Sequence, residues 1–423
     1  MSKKIKVDLR SEIGKLEAVV IHTPGHEVEN MTPGNAERAL YSDILNLPVA
    51  RKEYDQLKGI LQMFTNTFEV RDLVKDILNN QKVKETLIKR ICKNENKPWI
   101  IDRLLSEEND NLCKLLIEGV VMEKNNLTKF LSKERYSLPP LHNFFYVRDS
   151  AIPVCGNVLL SKMANKVRER ESIIMESIFD FSNNFITKTQ NPLQVNDNFS
   201  HSAIIEGGDV LVAREDILLI GNGSRTSTQG IDCVLELLRR ENNGKKHIIV
   251  QEMPYSPESF IHLDMVFTFL DVDTCMIYEP VLFKLGKYQT VHIIIDNGKV
   301  KSIREEKNIL EALKGLGMDL KPIFCGGTKD PWVQEREQWH SGANFFAVEP
   351  GKVIGYGRNN YTMEELSRNG FEIYNAKDII KNRIDPHSYN KIAISLEGSE
   401  LPRGGGGARC MTMPVKRSPV KWN

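Results

Sequence analysis

Nowhere in its 423 residues does this chain place two cysteines at C-x-x-C spacing, and its seven cysteines (92, 113, 155, 233, 275, 325 and 410) are odd in number and scattered. That pattern excludes a disulfide scaffold and a zinc finger. Charge of one sign is missing as well: 57 Lys and Arg stand against 56 Asp and Glu, for a net charge of +1. Such a balance leaves no electrostatic footprint for nucleic acid or an anionic membrane. No apolar run approaches the roughly 20 residues that span a bilayer. The opening "MSKKIKVDLRSEIG" is charged and lacks the apolar centre of a secretory signal. These absences lead us to expect a cytoplasmic protein without nucleic-acid or membrane partners, in a reducing compartment where a free thiolate survives.

What is present is an ordinary globular composition, 41% hydrophobic and 27% charged, on a chain long enough for two or three domains or one large domain with an insertion. "KLEAVVIHTPG" (15–25) reads as a strand ending in a Pro-Gly turn. "NAERALYSDILNL", "RKEYDQLKGILQMFTN", "VRDLVKDILNN", "VKETLIKRICKN" and "IIDRLLSEENDNLCKLLIEGV" carry apolar residues at helical spacing. A β-like "TFEV" (67–70) interrupts them, and the Pro-Pro of "YSLPPLHN" breaks helix. The expected organisation is a first α/β part at 1–70, a helical insertion at 71–140 and the remaining α/β part at 141–423.

Beyond residue 144 three pieces look alike: "NVLLSKMANKVRERESIIMESIF", "DILLIGNGSRTSTQGIDCVLELL" and "GKVIGYGRNNYTMEELSRNGF". Each is a β-rich run, a polar linker and an amphipathic helix, with Arg168, Arg225 and Arg358 in comparable places. Recurrence of this kind predicts a repeated supersecondary module around a central site.

Five stretches bear on chemistry. "NFFYVRDSAIPV" ends an aromatic run on Asp149, and "SAIIEGGDVLV" sets Glu206 and Asp209 around two glycines. "SFIHLDMVFTFLDVD" places His262 and Asp264 at i, i+2, on the same face if the segment is a strand. Arg168 and Arg225 form the fourth group. The fifth, "ELPRGGGGARCMTMP" (400–414), runs four glycines into Arg409 and Cys410. Each has a bland reading: a local ion pair, a turn, a core histidine, a small buried hydrophobe. With no second histidine at ligand spacing, metal is not expected. Together they fit a cysteine served by a histidine that a carboxylate, Glu206, orients. The remaining aspartates suit a planar cation, because a guanidinium's five donors match carboxylates on two sides.

Taken in order, "SEIGKLEAVVIHTPG", "RDS", "EGGDV", "IGNGSRTSTQG", "HLDMVFTF" and "GGGGARCMTMP" resemble the arginine deiminases, within the guanidine-modifying superfamily. The resemblance covers nearly the whole chain. It implies an α/β, pentein-like propeller of five pseudo-symmetric ββαβ modules with an inserted α-helical domain. It also implies Cys410 as nucleophile, His262 as general acid and base, Glu206 as its orienting partner, and Asp149 and Asp264 as the guanidinium carboxylates. Arg168 and Arg225 match the residues that bind the substrate α-carboxylate, and Asn143 a polar contact at the amino-acid end. Tyr146 stands beside the aliphatic part of the substrate, where relatives have Phe; Asp209 and Gly404 are counted with the substrate-binding residues.

The implied reaction takes free L-arginine to L-citrulline and ammonia through a covalent thiouronium on Cys410, with no cofactor and no metal, in a homo-oligomer, dimer or tetramer. Related outcomes are an arginine dihydrolase giving ornithine, ammonia and carbon dioxide, an amidinotransferase, and a non-catalytic guanidine-binding propeller. Two departures stand out: Tyr-Val-Arg-Asp replaces the usual Phe-Thr-Arg-Asp, and Gly405 stands where many relatives carry Arg. Arg403 is the candidate to compensate for Gly405. Arg409 either favours the thiolate or points to solvent.

Overall fold

One arrangement of strands recurs five times: two neighbouring strands run antiparallel, and a third lies parallel to the second. The computed structural model that shows this describes residues 4–32, 43–195, 203–241, 244–283 and 287–422. Strands Ala151–Val154, Asn157–Leu160 and Lys188–Gln190 make one such sheet, with helix Glu169–Phe181 between the second and third. Val210–Arg214, Ile217–Asn222 and Lys246–Glu252 make the next, around helix Thr228–Glu241. Phe267–Asp271, Thr274–Ile277 and Lys321–Phe324 follow with helix Ile309–Lys314. Phe346–Glu349, Lys352–Tyr356 and Ile392–Leu396 follow with helix Asn360–Arg368. In the remaining module the strand Met413–Arg417, from the end of the chain, pairs antiparallel with Leu16–Ile21, which pairs parallel with Asn66–Glu69. The last strand thus completes the module that the first long strand began, and the α/β propeller closes.

The three look-alike sequences are the second strand, linker and helix of three of these modules. The other two escape notice for topological reasons. In one, the hairpin Thr290–Asp296 and Lys299–Glu306 intervenes before the helix and extends the preceding module's sheet. In the other, the first strand arrives from the far end of the chain.

Local chemistry accounts for the elements. Helix Leu47–Phe64 starts where the Asn46 side chain accepts from Val49 N at 3.2 Å, with Pro48 in its first turn. Leu47, Ala50, Tyr54, Leu57, Ile60 and Leu61 form its buried stripe at three- and four-residue steps. Each fully buried Leu or Ile is worth roughly 1.5–3 kcal/mol. Between Asn66–Glu69 and the second module run helices Val70–Leu78, Gln81–Asn94, Ile101–Ser106 and Asn109–Glu118. Their buried residues Leu73, Val74, Leu87, Ile91, Leu112 and Leu116 share one core with Ile174 and Ile178 of Glu169–Phe181 and with strand residues Val20 and Val158. Of the helical expectation "NAERALYSDILNL", residues 35–42 lie outside the described residues. Among the described residues no helix is long and apolar enough to cross a membrane.

One feature of the repeat positions the site. Three modules place a 3-10 turn just ahead of their first strand: Val147–Ser150, Gly207–Asp209 and Leu263–Met265. The other two place Asn344 just ahead of Phe346, and Cys410 just ahead of Met413.

Candidate active site

The polar side chains of these five segments meet in one buried cluster. His262 Nε2 lies 2.9 Å from Glu206 Oε2, and its Nδ1 lies 3.7 Å from Asp149 Oδ1. Glu206 Oε1 accepts from Ala164 N at 2.8 Å and stands 3.8 Å from Arg225 Nη1. Cys410 Sγ lies 3.7 Å from Asp264 Oδ2 and 4.0 Å from Oδ1. Asn344 Nδ2 donates to that sulfur at 3.3 Å and to the Asp264 carbonyl at 3.0 Å, while its Oδ1 accepts from Arg409 N at 2.9 Å. Cys410 is 3% exposed and His262 1%, so both side chains sit out of bulk water. A Cβ on Gly208 would come within 2.4 Å of His262 Nδ1, so that backbone can pass the imidazole only without a side chain.

Each aspartate is held through one oxygen by an internal arginine. Asp149 Oδ2 receives Arg168 Nη1 at 2.7 Å, and Asp264 Oδ2 receives Arg409 Nη1 at 2.8 Å. Both arginines are shared with a glutamate: Arg168 with Glu171 (Nη2 to Oε2, 2.8 Å), Arg409 with Glu12 (Nε to Oε2, 3.0 Å). Among the described residues, Asp149 Oδ1 and His262 Nδ1 have no hydrogen-bond partner.

These contacts set the protonation states. Burial works against the His262 imidazolium, yet the charge of Asp149 and the bond to Glu206 outweigh it and push its pKa up to about 9. Burial alone would raise Glu206, but the His262 bond and Arg225 hold it down to about 2. Burial first, and then the charges of Asp264 and Asp149, push the Cys410 thiol well above its ordinary value. Burial lifts Asp209 to about 7 against the pull of His262; its Oδ1 accepts from Leu263 N at 2.9 Å. At neutral pH the cluster therefore pairs a charged acid, His262, with a thiol that a cation placed between the two aspartates would help to ionise. Asp149, Glu206 and His262 also offer three ligand atoms within 4.8 Å of one another. To ligate a metal ion His262 would first have to lose the proton that Asp149 and Glu206 stabilise.

Cys410, His262, Glu206, Asp149 and Asp264 are thus brought together. His262 and Asp264 do so without lying in a strand: His262 caps the turn Leu263–Met265, and the strand starts only at Phe267. The turn forms because Met265 N bonds back to the His262 carbonyl at 3.1 Å while Asp209 takes Leu263 N. Arg168, expected at the carboxylate end of a substrate, is buried against Asp149 and Glu171. Arg225 is half-buried, with only the long contact to Glu206 as an ion pair among the described residues. Asn143 is buried, and its carbonyl accepts from Tyr146 N at 2.9 Å and Arg168 Nη2 at 3.4 Å.

The Tyr146 hydroxyl donates to the Leu401 carbonyl at 3.0 Å and accepts from Gly406 N at 3.2 Å, so this phenol pins the glycine loop. Gly404 packs so closely that a Cβ there would lie 2.4 Å from that hydroxyl. Gly405 has φ +88°, with nothing among the described residues within 4 Å of where a Cβ would be. Arg403 does not enter the cluster; it pairs at the surface with Asp43 at 3.2 Å and Glu400 at 3.7 Å. Arg409 points inward, not to solvent. Arg358, the third arginine of the repeat, is exposed and bonds the Gly398 carbonyl at 2.7 Å.

Asn344, Glu12 and Glu171 were not singled out by sequence. Asn344 precedes the first strand of its module as Asp264 precedes its own, so registering all five repeats would have found it. Glu171 stands three residues after Arg168 at the start of a helix, a recognisable pairing distance. Glu12 carries no local signal, since its partner Arg409 is 397 residues away.

A family model described as arginine deiminase matches residues 37–417. A protein named arginine deiminase from Bacillus cereus (strain B4264) is 31% identical over 436 residues, covering 99% of this chain and all of its own length. Another of that name from Streptococcus uberis (strain ATCC BAA-854 / 0140J) is 30% identical over 441 residues, with coverage of 99% and 100%. Among solved structures, an amidinotransferase of saxitoxin biosynthesis from Microseira wollei superposes with a TM-score of 0.54 at 12% identity, covering 99% of this chain and 100% of its own. The N-terminal domain of a cyanobacterial arginine dihydrolase superposes with a TM-score of 0.52 at 14% identity, covering 95% and 97%. Those two likenesses show the shared pentein fold.

Proposed function

Because the chain belongs to the arginine deiminase family, we propose that it hydrolyses the guanidinium of free L-arginine to L-citrulline and ammonia through a covalent intermediate on Cys410. The observation that carries this reading is His262, paired to Glu206, in the same buried cluster as Cys410 and two aspartates. Asp149 and Asp264 receive the guanidinium, and its positive charge cancels the two negative charges that hold the proton on sulfur. The thiol proton passes to solvent, and the thiolate attacks the guanidinium carbon. His262 gives its proton to the departing nitrogen, and ammonia leaves an S-alkylthiouronium. The now neutral His262 takes a proton from water, whose oxygen adds to the same carbon; the C–S bond breaks, the added hydroxyl gives its proton to solvent, citrulline leaves and the thiolate returns.

General acid–base assistance of this kind is worth roughly 10²–10⁴ in rate. Holding the carbon over the sulfur supplies a further large share. Arg225, the less engaged of the two arginines, is the better placed partner for the substrate carboxylate. The same family reading extends to a cytoplasmic homo-oligomer, dimer or tetramer, whose mass light scattering would read.

The test is incubation with L-arginine while citrulline, ornithine and ammonia are quantified together, with Cys410→Ser alongside. One citrulline and one ammonia per arginine, abolished in the variant, is the expected result. Ornithine with two ammonia would move the chain to dihydrolase chemistry. Binding without turnover would make it a guanidine-binding propeller.

A further inference from the structure

Arg409 is 1% exposed and carries a full guanidinium beside the nucleophile. A buried cation of this kind must be neutralised by nearby carboxylates. Two carboxylates share it. Glu12 takes Nε at 3.0 Å and Nη2 at 3.1 Å, the two-pronged grip of a carboxylate on an arginine, and Asp264 takes only Nη1 at 2.8 Å. Val210 O accepts from Nη2 at 3.0 Å, and Glu12 is itself anchored by Val212 N at 3.2 Å. Two more buried arginines, Arg148 and Arg417, add their positive field at Glu12. They bond backbone carbonyls: Arg148 Nε that of Arg409, Arg417 those of Gly14 and Ala347.

We propose that Glu12 is a positioning residue for arginine binding: by gripping Arg409 through Nε and Nη2 it weakens that arginine's hold on Asp264, whose Oδ1 makes just the long 4.0 Å contact to Cys410 Sγ among the described residues. This rests on the reading that Asp264 receives the substrate guanidinium. Without the Glu12 charge, Arg409 has only Asp264 left as a carboxylate partner among the described residues. The internal guanidinium then occupies the place in charge that the substrate's guanidinium should take. The neighbouring aspartate shows a similar division, with Arg168 gripped by Glu171 and Asp149 Oδ1 without a hydrogen-bond partner among the described residues.

Glu12→Gln keeps the shape and removes the charge. Calorimetry of L-arginine binding in the Cys410→Ser background should show affinity weakened at least about tenfold. In the protein with its cysteine, KM should rise by a similar factor while kcat changes by less than about threefold. Glu12→Asp, which keeps the charge, should recover most of the affinity. Glu12→Gln combined with Arg409→Gln removes both internal charges and should bind arginine more tightly than Glu12→Gln alone. This double variant leaves no unpaired buried arginine at that position, so it also serves if the single variant does not fold. Unchanged affinity with only a lower Tm, a fall in kcat at constant KM, or a double variant no tighter than the single would each overturn the proposal. A Cys410→Ser parent that binds no arginine would instead overturn the deiminase reading itself.

Discussion

The two aspartates of the site are held alike but by different means. Asp149 is gripped by Arg168, 19 residues away, which is gripped by Glu171 three residues further on. Asp264 is gripped by Arg409, 145 residues away, which is gripped by Glu12 across a separation of 397 residues. The first grip belongs to one module and forms with its strand and helix. The second exists only once the C-terminal strand Met413–Arg417 has paired with Leu16–Ile21 and closed the propeller. The same electrostatic device can thus be local in one half of a site and depend on the complete fold in the other. The two also face different side chains: Asp149 lies beside His262, and Asp264 beside Cys410.

The largest effect expected falls on the atom both grips serve. Cys410→Ser should lower kcat by at least about 10⁴-fold, as loss of a nucleophile does elsewhere, measured by citrulline release, while arginine binding persists. Removing either arginine comes next. Arg409→Ala or Arg168→Ala leaves two buried carboxylates uncompensated and should cost about 3–5 kcal/mol, read from urea midpoints. A much smaller loss for Arg168→Ala would show that the local grip relaxes where the long-range one does not.

Titration separates the two aspartates further. His262 is raised from 6.5 to about 9, so its contribution to stability is fully present below about pH 6.5 and is lost as pH rises through about 9. Thermal stability followed from pH 6 to 10 should decline on that limb. Asp149→Asn should move the decline to lower pH, because Asp149 is the leading charge raising His262. Asp264→Asn should leave it in place. The smallest effect is Tyr146→Phe, which deletes one buried hydroxyl bonded to Leu401 and Gly406. It should cost about 1 kcal/mol, with unfolding in urea as the measure.

Much of this site was legible before the structure. Cys410, Glu206, Asp149, His262 and Asp264 sit in short glycine-, aromatic- or histidine-marked stretches whose residue types already demand a chemistry. The helical spacing in 71–118 likewise announced itself, because an amphipathic period is a local property. His262 and Asp264 reach the site from a turn and not a strand because the Asp209 carboxylate, distant in sequence, captures the Leu263 amide. Tyr146 read as a residue beside the substrate, but the Leu401 and Gly406 groups it bonds lie more than 250 residues on.

What the amino-acid sequence determined by itself was the repeated strand–linker–helix unit, the helical segments and the candidates for acid, base and nucleophile. These follow from periodicity and side-chain chemistry within a few residues. Only the tertiary structure decided that Asn344 would hold the sulfur, that Glu12 would share Arg409 with Asp264, and that Asp149 and Glu206 would charge His262 while burial kept Cys410 a thiol. Those outcomes depend on distances between charges in a low-dielectric interior. Such distances come into being only when the last strand meets the first.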